Sequence, residues 1–96
     1  MNEIAIDRQE GETKGRYNVT LDGHEAELTY SRAGATSIII DHTGVPDALR
    51  GRQVGLALVR RAVEDARSEN RTIVPLCPFA KAQIARHPEW HDVLKR

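Results

Sequence analysis

Several things are scarce in this chain of 96 residues. There is one cysteine, Cys77, so no internal disulfide can form and the fold must rest on its core. No apolar run approaches the ~18 residues of a membrane span. The start, Met1-Asn2-Glu3-Ile4-Ala5-Ile6-Asp7, lacks the basic-then-apolar order of a signal peptide. Neither sign of charge is in excess: 14 Lys and Arg balance 14 Asp and Glu. Holding nucleic acid by its phosphates needs a basic face, and single strands need aromatic platforms. Here the aromatics are two Tyr, one Phe and one Trp, scattered along the chain. These absences predict a cytoplasmic protein with no membrane or nucleic-acid partner. The length suits one domain over residues 1–96, since such a chain buries roughly 60–70% of its unfolded surface, enough for one core.

What is present is clear periodicity. Ile4-Ala5-Ile6 reads as a short first strand and the polar Asp7–Gly15 segment as a loop. Tyr17, Val19 and Leu21 alternate with polar residues, as do Ala26, Leu28 and Tyr30, with Asp22-Gly23 between them as a hairpin turn. Ala33-Gly34-Ala35 is the next turn, and Thr36–His42 is apolar enough at its centre to lie centrally in a sheet. From Gly51 to about Glu69, Val54, Leu58, Ala62 and Ala66 recur every fourth residue, with Val59 and Val63 widening the stripe. Arg60 with Glu64, and Arg61 with Asp65, are spaced to pair on the outer face. Asn70 stops this helix, and Thr72–Leu76 is a strand that Pro75 confines to an edge. Pro78 opens a short helix with Ala80, Ile84 and Ala85 inward, and a last turn runs to Leu94. The order is β-β-β-β-α-β-α, an α/β fold with a mostly antiparallel sheet.

The stretch Leu49-Arg50-Gly51-Arg52-Gln53-Val54-Gly55-Leu56-Ala57 joins the apolar strand to the long helix. A strand, a glycine-bearing basic loop and a helix start suit a pyrophosphate: amide N–H groups and the positive end of the helix dipole face the anion, and arginines add charged hydrogen bonds. Arg50 and Arg52 are the candidate phosphate ligands, against the alternative of solvated surface arginines.

His42-Thr43-Gly44-Val45-Pro46, then Arg50-Gly51-Arg52-Gln53-Val54-Gly55, then Pro75-Leu76-Cys77-Pro78-Phe79 together resemble the GNAT superfamily of N-acetyltransferases, and in particular its members of about a hundred residues. The resemblance runs from about Tyr17 to Trp90. It implies a sheet that splays between Thr36–His42 and Thr72–Leu76, with acetyl-CoA as donor. It implies backbone contacts from Val45 to the pantetheine arm, and a pyrophosphate wrapped by Arg50, Gly51, Arg52, Gln53, Val54, Gly55, Leu56 and Ala57. The function implied is acetyl transfer from coenzyme A to an amine, whose identity the sequence does not reveal. A non-catalytic acyl-CoA-binding module and a thiol-dependent acyl carrier or hydrolase are the alternatives.

Three departures from the family pattern stand out. Gln53 replaces the usual middle glycine of the loop. Ile84 stands where many members carry the tyrosine that protonates the leaving thiolate. The helices that shape the acceptor site in larger members are missing, which leaves that site open and suits a large, protein-bound or loosely selected amine.

Two residues are candidates for the chemistry. Cys77 precedes Pro78 and so falls at the N-cap, where a thiol's pKa is lowered. Its open roles are transient acetyl acceptor, cofactor contact, and small packing residue. His42 ends the central strand and is placed either to deprotonate an ammonium acceptor or to fix the following turn. Cys77, His87 and His91 do not make a convincing metal set, because Pro88 interrupts the helix they would need. Glu25 and Glu27 read as solvent-facing, and Trp90 as a packing cap.

Overall fold

A computed structural model, which describes residues 4–95, shows one sheet in the order β1-β2-β3-β4-β5. The strands are β1 (Asp7–Glu10), β2 (Lys14–Leu21), β3 (His24–Ala33), β4 (Ser37–Gly44) and β5 (Thr72–Pro75). The first four are antiparallel; β4 and β5 are parallel and joined through α1 (Val54–Ser68). Helix α2 (Pro78–Ala85) and 3-10 segments at Asp47–Leu49 and Pro88–Val93 complete the fold. This is the expected mixed α/β order.

Helix α1 packs on β2, β3 and β5, α2 packs on β4 and β5, and the two helices touch. Both therefore cover the sheet face that carries Tyr17, Val19, Leu28, Ile40 and Ile73, all buried. The α1 stripe of Val54, Leu58, Val59, Ala62, Val63 and Ala66 is buried against it. The opposite sheet face carries Lys14, Arg16, Glu25, Glu27, Thr29 and Ser31 and has no helix over it. Hence Ile39 is only half-buried, although its neighbours Ile38 and Ile40 are buried. The expectation of a central strand needs adjustment for the same reason: β4 has neighbours on both sides, but β3 is the middle strand.

The N-terminal expectation is corrected. Ile4–Ile6 is not a strand; Ile4 and Ile6 pack at the rim of the core. The segment expected to be a loop supplies β1 and the turn into β2. Apolar periodicity cannot reveal a strand whose inward residue is an arginine. Arg8 places its guanidinium 5.4 Å from the Tyr17 ring centre and 5.9 Å from that of Tyr30. It donates to the Tyr30 hydroxyl at 3.2 Å, to Asp65 at 3.2 Å and to Glu69 at 2.6 Å, so charge and stacking replace apolar burial. Arg61 pairs with Asp65 as the spacing predicts, whereas no Arg60–Glu64 ion pair forms among the described residues.

Three local devices shape the site. At Asp22-Gly23 both residues have positive φ, as a tight hairpin turn requires. In β4, Ile40 lies opposite Tyr30 and His42 opposite Thr29, so Asp41 is the extra residue of a β-bulge. After the bulge Thr43, opposite the buried Leu28, takes over the core-facing position. Helix α1 starts at Val54, later than Gly51, because Gly51 (φ 80°) and Gln53 (φ 60°) hold the loop in the left-handed region. Ala85, expected inward, is exposed; Ala80 and Ile84 are buried.

Candidate functional site

The amino end of α1 is open. Gln53 is its N-cap, at φ 60° and ψ 24°, and makes no side-chain cap. The first helical bond runs from the Ala57 N–H to the Gln53 carbonyl at 3.0 Å. The amides of Val54, Gly55 and Leu56 precede it and point out along the axis. No acidic residue stands in the first turn. Such an end favours an anion. The loop accommodates the departure at Gln53 by adopting the conformation that glycine would take, at a cost of about 1 kcal/mol.

A groove of about 630 Å³ begins at this helix end. Of the residues expected at the cofactor, Val45, Arg50, Gly51, Gln53, Val54, Gly55 and Leu56 line it. Arg52 and Ala57 do not. Arg52 is ion-paired with Asp22 in the β2–β3 turn, and Ala57 is half-buried further along the helix. Arg50 is well exposed and reaches Asp47 at 3.1 Å. Thr43, Leu49, Phe79 and Gln83 also line the groove and were not singled out from the sequence. Phe79 ends the Pro-Leu-Cys-Pro-Phe motif, which was the signal for it in the sequence, and the structure leaves it 38% exposed at the groove. Its ring lies across Gly55, where an added Cβ would come within 2.8 Å of Phe79 Cζ and 3.3 Å of Val45 Cγ2. Glycine here keeps the wall between helix and ring thin enough for the groove to exist.

The groove leads to the place where β4 and β5 part. Their pairing ends at Ile40 opposite Pro75, while β4 continues to Gly44. The last link is the Cys77 N–H donating to the Ile40 carbonyl at 3.0 Å. Cys77 is the N-cap of α2, with Pro78 in the first turn, and is 5% exposed. Its thiol faces the Thr43 hydroxyl, Sγ to Oγ1 3.6 Å, and Thr43 also lines the groove. Burial resists ionisation of this thiol, but the Ala80 amide, the Thr43 hydroxyl and the amides of Phe79 and Thr43 outweigh it. The thiol is thus held below its ordinary pKa.

The bulge separates His42 from this arrangement. His42 is exposed, and its imidazole bends over Gly44, on the side of β4 away from half-buried Thr43 and its buried partner Leu28. Thr43 is therefore the β4 side chain brought to the thiol. Ile84 is buried in the core and offers no proton donor. His87 stacks on Trp90 with ring centres 4.1 Å apart and shares a hydrogen bond with the Gln83 carbonyl, while His91 bonds the Ile84 carbonyl. Both imidazoles are used in packing the C-terminal segment.

A sheet parted beside an open helix end, with a glycine-lined groove leading into the gap, defines the acyl-CoA N-acyltransferase class of fold. Residues 16–93 match the family of GCN5-related N-acetyl-transferases, and the chain belongs to that family. It is similar to a GCN5-like candidate N-acetyltransferase from Staphylococcus aureus whose solution structure was determined by NMR. The two share 36% identity over 99% of this chain and 91% of that one, with a TM-score of 0.72. No curated protein matches the chain. Among the described residues, no helix is long and apolar enough to cross a membrane.

Proposed function

We propose that the protein is an acetyl-CoA-dependent N-acetyltransferase in which Cys77 carries the acetyl group between donor and amine. The observation that supports this most is the position of the Cys77 thiol. It lies at the start of α2, has its pKa lowered, and faces Thr43, which lines the groove, while Cys77 itself is buried behind the groove's lining residues. The residues present fit coenzyme A: amides of Val54, Gly55 and Leu56 with Arg50 would hold the pyrophosphate, and the Val45 backbone the pantetheine arm. Arg52 would join them on leaving Asp22. Bound there, acetyl-CoA supplies an activated acyl thioester.

The chain's residues then act in sequence. The Cys77 thiolate attacks the acetyl carbonyl; a new S–C bond forms as the donor's C–S bond breaks, and that electron pair leaves on the donor sulfur. His42, on the outer side of β4, takes a proton from the acceptor's ammonium. The freed amine attacks the acetyl carbon, its nitrogen gives up its second proton to solvent as the amide forms, and Cys77 departs as thiolate. The charge-stabilising surroundings that favour the Cys77 thiolate make it a good leaving group in this second step. Ile84, in the place of a tyrosine acid, has no proton to give the donor's sulfur, which therefore leaves as a thiolate and takes its proton from solvent.

The test is intact mass of the purified protein after incubation with acetyl-CoA and no amine. One acetyl mass, absent from Cys77→Ser, is expected. A protein that binds acetyl-CoA and stays unmodified, with Cys77→Ser as active as wild type on an amine, would refute the covalent step.

A further inference from the structure

A second groove, of about 730 Å³, lies on the sheet face that no helix covers, and its outward side chains are Gln9, Lys14, Arg16, Thr29, Ser31 and Asp41. The site described above does not use it. Its charged groups divide into two kinds. Arg16 is neutralised by Glu27 at 3.0 Å and Glu25 at 3.5 Å. Glu10, at the rim, is taken by Arg71 at 2.7 Å, by Arg8 at 2.9 Å and by the Tyr30 hydroxyl at 2.7 Å. Lys14 and Asp41 remain; among the described residues neither is in an ion pair. The groove therefore offers one free cation and one free carboxylate.

Their placement follows from the register. Lys14 on β2 lies opposite Ser31 on β3, and Ser31 lies opposite Ile39 on β4. The Ser31 hydroxyl donates to the Asp41 carboxylate at 2.6 Å and fixes it. Lys14 and β4 are two strand spacings apart, about 10 Å. Asp41 is the bulged residue, and bulges re-aim side chains. It directly follows Ile40, whose carbonyl anchors the Cys77 amide. The two grooves lie on opposite sheet faces and share no lining residue; Asp41 is the β4 residue of the outer groove and adjoins Ile40, where the β4–β5 pairing ends.

We infer that this outer groove binds the acyl acceptor, a primary amine with an anionic group at its far end, its ammonium on Asp41 and its anion on Lys14. The inference rests on the transfer reading above for the word acceptor, but the binding it describes is measurable without turnover. A Ser31-braced carboxylate at the sheet opening brings the amine to the gap. Lys14, two strands away, selects for the second charge and so disfavours simple alkylamines and polyamines.

The experiment is an NMR titration of the nitrogen-15-labelled full chain with 6-aminohexanoate, with hexylamine and hexanoate as single-charge controls. Saturable shifts at Lys14, Thr29, Ser31 and Asp41 are expected for 6-aminohexanoate, with either control about fivefold or more weaker. Asp41→Asn should weaken 6-aminohexanoate about fivefold and hexanoate little; Lys14→Gln should do the converse for hexylamine. Both substitutions are at exposed positions, and the amide spectrum itself reports whether the fold is kept. Absent or unsaturable shifts, shifts centred elsewhere, or equal affinity for hexylamine would overturn the inference. Acetyl uptake by Cys77, read by intact mass, separates the two claims. If wild type takes no acetyl yet binds 6-aminohexanoate as described, the covalent reading fails and the groove stands. If uptake is normal in Asp41→Asn and wild type shows no binding, the groove fails alone.

Discussion

Gln53→Gly is expected to stabilise the fold. Gln53 sits at φ 60° and ψ 24°, where an L side chain crowds its own carbonyl at a cost of roughly 1–2 kcal/mol. Its side chain is exposed and caps nothing, so no interaction is lost on removing it. Glycine gives back about 0.4–1 kcal/mol through the greater freedom of the unfolded chain. The net gain is about 0.5–1 kcal/mol, which for a domain of this size raises Tm by roughly 2–8 °C. Thermal unfolding followed by circular dichroism measures it. Gly51, at φ 80°, supplies the opposite control: Gly51→Ala should cost about 1 kcal/mol. Because only the side chain at position 53 changes and the loop amides stay where they are, acetyl-CoA affinity should hold or improve in Gln53→Gly. A lower Tm for Gln53→Gly, or no loss for Gly51→Ala, would refute the left-handed loop on which the anion site is argued.

Gly55→Ala puts a methyl 2.8 Å from Phe79 Cζ, well inside the ordinary contact range beyond 3.4 Å, so the ring must swing across the groove. Calorimetry should show acetyl-CoA binding about tenfold weaker, roughly 1.4 kcal/mol, with Tm little altered because Phe79 lies at the surface. Arg8→Ala removes the cation shared by Asp65, Glu69 and Glu10 and the stacking on two tyrosines; denaturant unfolding should show a loss of about 2 kcal/mol. Glu10 is held at about 2, against an ordinary 4.5, chiefly by its hydrogen bond from Arg71. Its contribution is thus complete above pH 4.5 and fades as pH falls toward 2, so wild type should lose stability across that window more steeply than Glu10→Gln. The thiolate absorbance of Cys77 should titrate with a midpoint below that of a free thiol, and Thr43→Val should move it up.

Much of this was legible in the sequence, because the elements concerned obey one period each. The α1 stripe, the Asp22-Gly23 turn and the apolar centre of β4 all fall where alternation or fourfold spacing puts them. Helix α2 opens at Pro78 because proline suits a first turn, and that alone located Cys77 at a helix start. Strand β1 was not legible: its inward residue is Arg8, and only the tertiary surroundings, Tyr17, Tyr30 and the acids of α1, make arginine acceptable there. The bulge at Asp41 leaves no mark in composition, yet it decides that Thr43 and not His42 meets the thiol. The pairing of Arg52 with Asp22 joins residues thirty positions apart, beyond the reach of any local pattern. Phe79 was visible as part of a motif, but its packing on Gly55 appears only when α1 and α2 lie side by side.

The claim that the groove between α1, β4 and Phe79 holds acetyl-CoA carries the rest. Calorimetric titration of wild type and Gly55→Ala with acetyl-CoA tests it most directly. One saturable site in wild type, weakened in the variant while its Tm holds, is the result predicted. No saturable binding to the wild-type protein would contradict it.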